Sequence, residues 1–416
     1  MKGANSLELK EEHFDSGHRS FGNEVQIIIT ALMLIYAFYF LYGAGYEPLP
    51  GIEHYSIYLA GVMLFALILF PSVSRLRQNK LLLVIDVILA ILAISASIYV
   101  FQSFQTYSDR VGLPPTGADL FFGLCILIIL LEISRRVVGW GFTIVVFIFI
   151  LYALLGPWLP HPFTHAGYDI PRFISTFFLT TNGPYGMITS VAANYIFIFI
   201  MFAAFMRLSG TAEFFKDLAL IAFGKFRGGA GKISVVASSL MGMLTGSTIA
   251  NVASTGAITI PTMKKTGFSP AFAGGVEATS SLGSQIMPPI MGSTVFIMME
   301  ILGMSYWDIA KASILVGVLF YVSLFIMVDL EAAKKNLRGL QNVEVPDLKE
   351  TLKKGWYHLI PVAVLVYMIA VVGVSPARAA FWGVVASVAI IFVFDRDNRG
   401  IIPKVFHIKN AIKTGV

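Results

Sequence analysis

The sequence predicts an all-α, polytopic membrane protein whose run of spanning helices is interrupted by a re-entrant hairpin and a broken transmembrane helix. Composition sets the class: residues of the AVILMFWYC set make up 56% of the chain and charged residues 13%, and mean hydropathy is +0.77, far from the balance of a soluble domain. Charge placement sets the topology, because Lys and Arg gather in alternate connections, as residues retained on the cytoplasmic side do. The interruption lies in Lys232–Lys265, KISVVASSLMGMLTGSTIANVASTGAITIPTMKK, which is apolar, basic at both ends and broken in the middle by the polar, glycine-containing GSTIANVAS.

The first apolar run follows a polar N-terminus carrying Glu8, Lys10, Glu11, Glu12 and Asp15, with no small-residue cleavage site after it, so the first helix is expected to be retained rather than removed as a signal peptide. Apolar centres suited to spans of about 17–25 residues fall at Gln26–Tyr42, Tyr55–Phe70, Leu81–Val100, Leu120–Leu131 and Val138–Leu155. A loop with Trp158, His161 and His165 precedes an interfacial stretch at Phe173–Phe178, and another span lies at Val191–Met206. Arg75, Arg77 and Lys80 mark one connection, Arg135 and Arg136 a second, and Arg207, Lys216, Lys225, Arg227 and Lys232 a third. The alternate connections Gly43–His54, Gln102–Gly117 and Gly156–Arg172 carry few basic residues. The N-terminus is therefore expected in the cytoplasm.

The next segment begins at Lys232 and ends at Lys264 and Lys265. Keeping both ends inside makes it a re-entrant hairpin, and its tip would put Ser247, Thr248, Asn251 and free backbone groups at membrane depth. Such a tip is tolerable only against protein or a water-filled cavity. Ala271–Leu302, AFAGGVEATSSLGSQIMPPIMGSTVFIMMEIL, is then too long and too interrupted for one helix. Gly283 and Pro288–Pro289 break it, and carbonyls near Gln285, Ile286 and Met287 are expected to lose their helical partners. Na⁺ is a hard cation that such oxygens suit, and the N-terminal ends of half-helices suit an anion. The hydroxyls of Ser247, Thr248, Ser254 and Thr255 and the Asn251 amide can serve either ligand, while close helix packing or bonding back to the helix accounts for each hydroxyl equally well.

Glu277 lies within the broken segment, where an ionisable group is either functional or a carboxylate hydrogen-bonded to neighbouring Ser or Gly backbone that braces the bend. Asp86 and Glu132, near helix ends, are explained by water or by nearby arginines. Ala310–Met327 gives a further span, Asp329–Gly355 a charged cytoplasmic linker with amphipathic character, and Leu359–Val374 and Ala379–Phe394 two last spans before Asp395, Arg396, Arg399 and Lys404. Several classes fall away. Seven histidines show no pair at metal-ligand spacing, and Cys125 sits in an apolar run where packing explains it. The net charge of +6 reflects orientation, so no nucleic-acid partner is expected. GGAGKIS at Gly228–Ser234 fails as a phosphate loop because Phe226 and Ile233 occupy the required positions. Glu277 has no evident base, nucleophile or carboxylate partner in sequence, which disfavours a membrane-embedded enzyme.

From Gly246 to Ile314 the string GSTIANVASTGAITIPTMKKTGFSPAFAGGVEATSSLGSQIMPPIMGSTVFIMMEILGMSYWDIAKASI resembles the large membrane subunit of tripartite ATP-independent periplasmic (TRAP) transporters. The helices before it resemble the small subunit of fused permeases, in particular those paired with a TAXI-type binding protein. That resemblance implies an ion-transporter-like, elevator-type fold and Na⁺-driven uptake of organic acids across the inner membrane. The implied partners are a periplasmic substrate-binding protein, a small organic anion and membrane lipid, with Na⁺ as coupling ion and no cofactor. It also implies ion sites at Gly246, Ser247 and Asn251 on the tip and at Gly283, Gln285, Met287 and Pro288 on the facing break.

In the same terms, residues 1–137 form a four-helix scaffold and 138–189 a linking helix with an interfacial segment. Residues 190–330 form the first transport repeat, with hairpin 233–263 and broken helix 270–302, 331–356 a cytoplasmic linker, and 357–416 helices toward a second repeat. That inverted second half, with its own hairpin and break, does not follow Lys354, and the ending IKNAIKTGV stands where it would begin. The chain is accordingly expected to be a truncated product or half of a split gene, with the second half of the permease as its missing partner. A scaffolding or channel-like subunit would share the hydropathy but would show no Na⁺-dependent stabilisation.

Overall fold

A computed structural model describes residues 19, 21–47, 51–73, 79–110, 114–340 and 345–394. The acidic N-terminal stretch, Arg75, Arg77, and everything from Asp395 to the IKNAIKTGV ending lie outside the described residues. Among those described there is no strand, and nine helices are long and apolar enough to cross a membrane. The chain divides into two compact units, one of Met1–Ile29 and Leu49–Ala193, the other of Thr30–Pro48 and Asn194–Val416.

The first unit takes the start of α1 (Asn23–Gly45), then α2 (Gly51–Leu69), α3 (Lys80–Arg110), α4 (Gly117–Val137), α5 (Trp140–Leu155), the short α6 (Ile170–Phe178) and the start of α7 (Met187–Leu208). α4 begins on a capping box in which the Thr116 hydroxyl accepts from the Asp119 amide and Asp119 accepts from the Thr116 amide, satisfying two orphan groups at once. Small residues open the seam: Ala93 and Ala96 are fully buried beside Met63, Leu67, Ile126 and Ile129, and small side chains bring helix axes close where no hydrophobic effect does so. α6 packs Ile174 and Phe178 on α4, where a Cβ on Gly123 would come within 2.6 Å of the Ile174 side chain.

One polar network closes the end of this seam. Asp86 of α3 accepts from Arg19 at 2.6 Å and from Arg136 at 2.7 Å, with all three side chains 3% exposed or less. Arg136 Nε also donates to Glu132 at 2.7 Å, and its Nη1 donates to the Phe70 carbonyl at 3.1 Å just past the end of α2. Arg135 brackets the other Glu132 oxygen at 2.8 Å and the Ser72 carbonyl at 2.9 Å. The arginines thus do two jobs, neutralising buried carboxylates and capping the carbonyls that α2 leaves free.

The second unit holds the rest of α1 and α7, then α8 (Thr211–Phe223), α9 (Gly229–Thr245), α10 (Thr248–Lys265), α11 (Pro270–Gly283), α12 (Thr294–Leu302), α13 (Tyr306–Lys334), α14 (Leu348–Val372) and α15 (Pro376–Phe394). α8 lies within the connection that carries Lys216 and Lys225, and the sequence reading did not mark it as a helix. At 13 residues it is too short to span, and Gly210, at φ +86°, turns the chain into it. Ile233–Met263 is two antiparallel helices, α9 and α10, joined at Gly246–Ser247. Together with α11 and α13 they bury Val235, Met263, Ala273, Val276, Leu324 and Val328. At the base of this group Asp329 of α13 holds Arg227 and, at 2.7 Å, Lys232 of α9. Lys232, expected as a loop cation, is instead 6% exposed and lies 5.1 Å from the Phe325 ring centroid.

Replacing Asp86 with Ala strands two buried guanidinium groups and is expected to destabilise the chain by about 3–5 kcal/mol. Glu132→Ala, at the part-exposed end of the network, is expected to cost clearly less. Thermal unfolding in detergent checks the order, and equal losses would show that burial of Asp86 does not set the cost.

Candidate functional site

The hairpin tip is two residues long. α9 ends because Gly246 adopts the left-handed conformation at φ +61° and its N–H returns to the Gly242 carbonyl at 2.9 Å, a region where only glycine is unstrained. Ser247 is extended, and its Oγ accepts from the Ala250 N–H at 3.3 Å, capping α10. The first amides of α10 therefore point outward from the tip with the positive end of the helix dipole behind them.

The facing break starts after α11. Gln285 and Ile286 donate to the Leu282 and Gly283 carbonyls at 3.1 and 3.2 Å, tightening the last turn, and the Gly292 N–H closes the loop onto the Gln285 carbonyl at 2.9 Å. Met291, at φ 62°, is a non-glycine residue in the left-handed region, a local strain of the kind that concentrates at functional segments. The carbonyls of this loop are better satisfied than the prolines suggest. Gln285 has its Gly292 partner, and the Tyr306 hydroxyl of α13 lies 2.8 Å from the Pro289 carbonyl and 2.5 Å from that of Ile290. The Gln285 carbonyl thus loses its helical partner, as expected, and finds another because the loop folds back on itself.

Tip and break meet directly. Gln285 Nε2 donates to Thr248 Oγ1 at 2.7 Å, and around this contact lies a cavity of about 430 Å³ lined by Gly246, Ser247, Thr248, Gln285 and Ser293 on one side and by Ile196, Phe199, Ile200, Ile290, Met291 and Phe296 on the other. The apolar wall is braced by rings: Phe296 stacks on Tyr195 at 5.2 Å, with Phe199 at 5.0 Å and Tyr306 at 5.6 Å. No charged side chain is among the described residues lining it.

Asn251 sits one turn along α10 from Ser247, with no exposure. Its Nδ2 donates to the Ser238 carbonyl of α9 at 2.8 Å and to Ser281 Oγ of α11 at 2.9 Å, which fixes the amide orientation. Its Oδ1 has no hydrogen-bond partner. An orphaned buried oxygen is costly, and with Ser281 on α11 and Ser284 just past its end nearby, the donor set is neutral oxygen, the chemistry an alkali cation takes.

The structure distributes the sequence candidates unevenly. Gly246, Ser247, Thr248 and Gln285 line the cavity, and Asn251 lies beneath it. Gly283 is a packing position, since a Cβ there would lie 2.2 Å from the Phe320 ring, and Met287 rests its sulfur where Gly317 leaves space, 2.7 Å from a Cβ placed there. Pro288 is in the loop itself, joined to Pro289 by a cis bond. Ser254 is exposed and bonds back to the Asn251 carbonyl at 3.1 Å, while Thr255 turns to Glu277. Neither lines the cavity. Glu277 has hydroxyl partners rather than neighbouring glycine backbone, from Ser234, Ser238, Thr255 and Thr259. Sequence reasoning missed Phe199, Phe296, Met291, Ser293 and Tyr306, which lie in apolar runs or across the break. It also missed Ser234 and Ser238, whose i,i+4 pairing mirrors that of Thr255 and Thr259 and was there to be read.

Residues 124–412 match the family described as "Tripartite ATP-independent periplasmic transporter, DctM component", which is more than half of the chain. The putative TRAP transporter large permease protein of Haemophilus influenzae is 28% identical over 168 residues, covering 40% of this chain and 39% of that protein. The C4-dicarboxylate TRAP transporter large permease protein DctM of Pseudomonas aeruginosa is 26% identical over 201 residues, 48% of this chain and 47% of that one. The 2,3-diketo-L-gulonate TRAP transporter large permease protein YiaN of Escherichia coli is 24% identical over 168 residues, 40% and 39%. The chain spans about half the length of the curated relatives it matches, or less.

Tyr306→Phe removes the one hydroxyl serving the Pro289 and Ile290 carbonyls and is expected to destabilise by about 1–3 kcal/mol. Limited proteolysis should show the added opening within residues 284–293. Cleavage unchanged there and increased elsewhere would mean that the tyrosine braces α13 rather than the loop.

Proposed function

The chain belongs to the DctM family of tripartite ATP-independent periplasmic transporters, and from that premise we propose that it is a permease component of a Na⁺-coupled importer of organic acids in the inner membrane. A soluble periplasmic binding protein delivers the substrate, and the N-terminus lies in the cytoplasm. The four-span N-terminal region acts as a fused small subunit of the TAXI-associated type, and a second inverted half of the permease supplies the opposing wall of the substrate path. C4-dicarboxylate and 2,3-diketo-L-gulonate, in the names of two relatives, are organic anions, which supports that substrate class here.

The observation that carries the reading is Asn251 Oδ1, buried and without a partner one turn below the tip. A Na⁺ held there with serine and backbone oxygens satisfies the orphan atom and adds positive charge beneath a cavity that has no basic side chain lining it. The anion then meets the α10 N-terminal amides, Ser247, Thr248 and Gln285 on one side. Its hydrocarbon part meets Phe199 and Phe296 on the other. Cation and anion support each other's binding because each neutralises the other where water is excluded.

Na⁺ should stabilise the purified chain against heat relative to choline at equal ionic strength, by about 2.7 kcal/mol when free Na⁺ is 100 times its Kd. Asn251→Ala should abolish that increment. A wild-type melting temperature indifferent to Na⁺, or an Asn251→Ala variant that responds as wild type does, counts against the ion site and favours a scaffolding or channel-like role.

A further inference from the structure

Glu277 lies on α11 where that helix packs against both arms of the hairpin, and it has no solvent exposure. Ser234 Oγ donates to its Oε2 at 2.7 Å and Thr259 Oγ1 to the same atom at 2.6 Å. Ser238 Oγ donates to Oε1 at 2.6 Å, and Thr255 Oγ1 contacts Oε1 as well. Each carboxylate oxygen thus meets one hydroxyl from α9 and one from α10. Four hydroxyls surround the lone-pair sites of the carboxylate: those of Ser234 and Ser238 donate to it, and Thr255 and Thr259 share their single protons between it and the Asn251 and Thr255 carbonyls. Gly256 makes the approach possible, since a Cβ there would lie 3.1 Å from Glu277 Cγ.

Hydroxyls answer the hydrogen-bonding demand of the carboxylate but not its charge. Of the charged groups on the packed helices, Lys232 is bound by Asp329 at 2.7 Å, and Lys264 and Lys265 are exposed in the last turn of α10. Among the described residues no salt bridge reaches Glu277. A buried anion without a counter-ion is expensive, and Asn251, whose Oδ1 is unpartnered, is one side chain away by two routes, through its Nδ2 and its backbone carbonyl. Ser238 bonds Glu277 through its hydroxyl and receives Asn251 Nδ2 on its carbonyl at 2.8 Å. Thr255 Oγ1 contacts both Glu277 and, at 2.8 Å, the Asn251 carbonyl.

We infer that Glu277 is the remote counter-charge of the cation at Asn251. It does not ligate the ion. It orients Asn251 through Ser238 and Thr255 and supplies the negative potential that a cation at Oδ1 neutralises, so ion binding and closure of the α9–α10–α11 seam strengthen each other. The inference rests on the proposed ion site.

The test is Na⁺ titration of the full chain in detergent, with choline holding ionic strength constant, for wild type, Glu277→Gln and Glu277→Asp. Gln keeps the shape and removes the charge, and Asp keeps the charge and shortens the brace. Glu277→Gln should weaken Na⁺ binding on the order of 10- to 100-fold, and Glu277→Asp by distinctly less. Glu277→Gln binding Na⁺ as wild type does, or Glu277→Asp losing as much as Gln, overturns the inference and leaves a structural brace. If Glu277→Gln does not fold, the Na⁺-minus-choline infrared difference spectrum of wild type decides: a changed carboxylate stretch supports the counter-charge, and an unchanged one overturns it. Wild type that binds no Na⁺ overturns the ion site as well, a result visible without any variant.

Discussion

Wherever a helix is interrupted away from water, its freed polar groups must be satisfied from within the protein, and in the second unit that constraint decides which atoms remain available for chemistry. At the tip, Gly246 returns its N–H to Gly242 and Ser247 caps α10. At the break, Gly292 closes on Gln285, and Tyr306 reaches the Pro289 and Ile290 carbonyls. Tyr321 adds a hydroxyl to the Ser280 carbonyl at 2.8 Å. Beside these pairings Asn251 Oδ1 stands out as buried and without a partner, and it is held in place because its own Nδ2 is pinned by two acceptors.

The same region shows how packing positions chemistry. α9 approaches α11 so closely at Gly242 that a Cβ there would sit 2.2 Å from Ser284 Oγ and 3.0 Å from Asn251 Nδ2. A methyl group at that position collides with Ser284 and crowds Asn251, so the glycine sets the place of both side chains as well as the helix seam. Small residues in membrane helices are usually explained by backbone approach. Here the approach has a purpose, which is to bring oxygens from three helices within hydrogen-bonding distance of one another.

The helical architecture was largely legible because hydropathy and basic-residue placement act over whole spans: every expected span falls on a helix, although polar ends such as those of α3 beyond Val100 and of α14 before Leu359 extend the helices past the apolar centres. α8 escaped because its 13 residues are amphipathic and carry Lys216, so that neither length nor apolarity marked it. Within the site, legibility followed distance from the break. Ser247 and Thr248 precede or begin α10 and face the cavity, but beyond them the helix turns about 100° per residue and side chains part company. Asn251 and Thr255 share a face, while Ser254 points elsewhere. Proximity in sequence to GSTIANVAS suggested all of them equally. Phe199 and Phe296 were invisible for another reason: they lie in apolar stretches whose composition says only that they are in the membrane.

Two ends of the hairpin are held by forces of different kinds, and the difference bears on how the unit can move. At the tip, Gln285 to Thr248 is a single side-chain bond between hairpin and break. Halfway down, Glu277 receives hydroxyls from both arms, and at the base Asp329 holds Lys232 and Arg227. Parting the arms from α11 would expose a buried carboxylate and break four hydrogen bonds at once, whereas opening the tip costs one bond and wets a cavity that is already polar on that side. Glu277 therefore ties the hairpin to α11 more firmly than the tip is tied to the break, and the weakest joint lies between residues 246–248 and 284–293. The oxygens around Asn251 come from α9, α10 and α11, the three elements that Glu277 ties together.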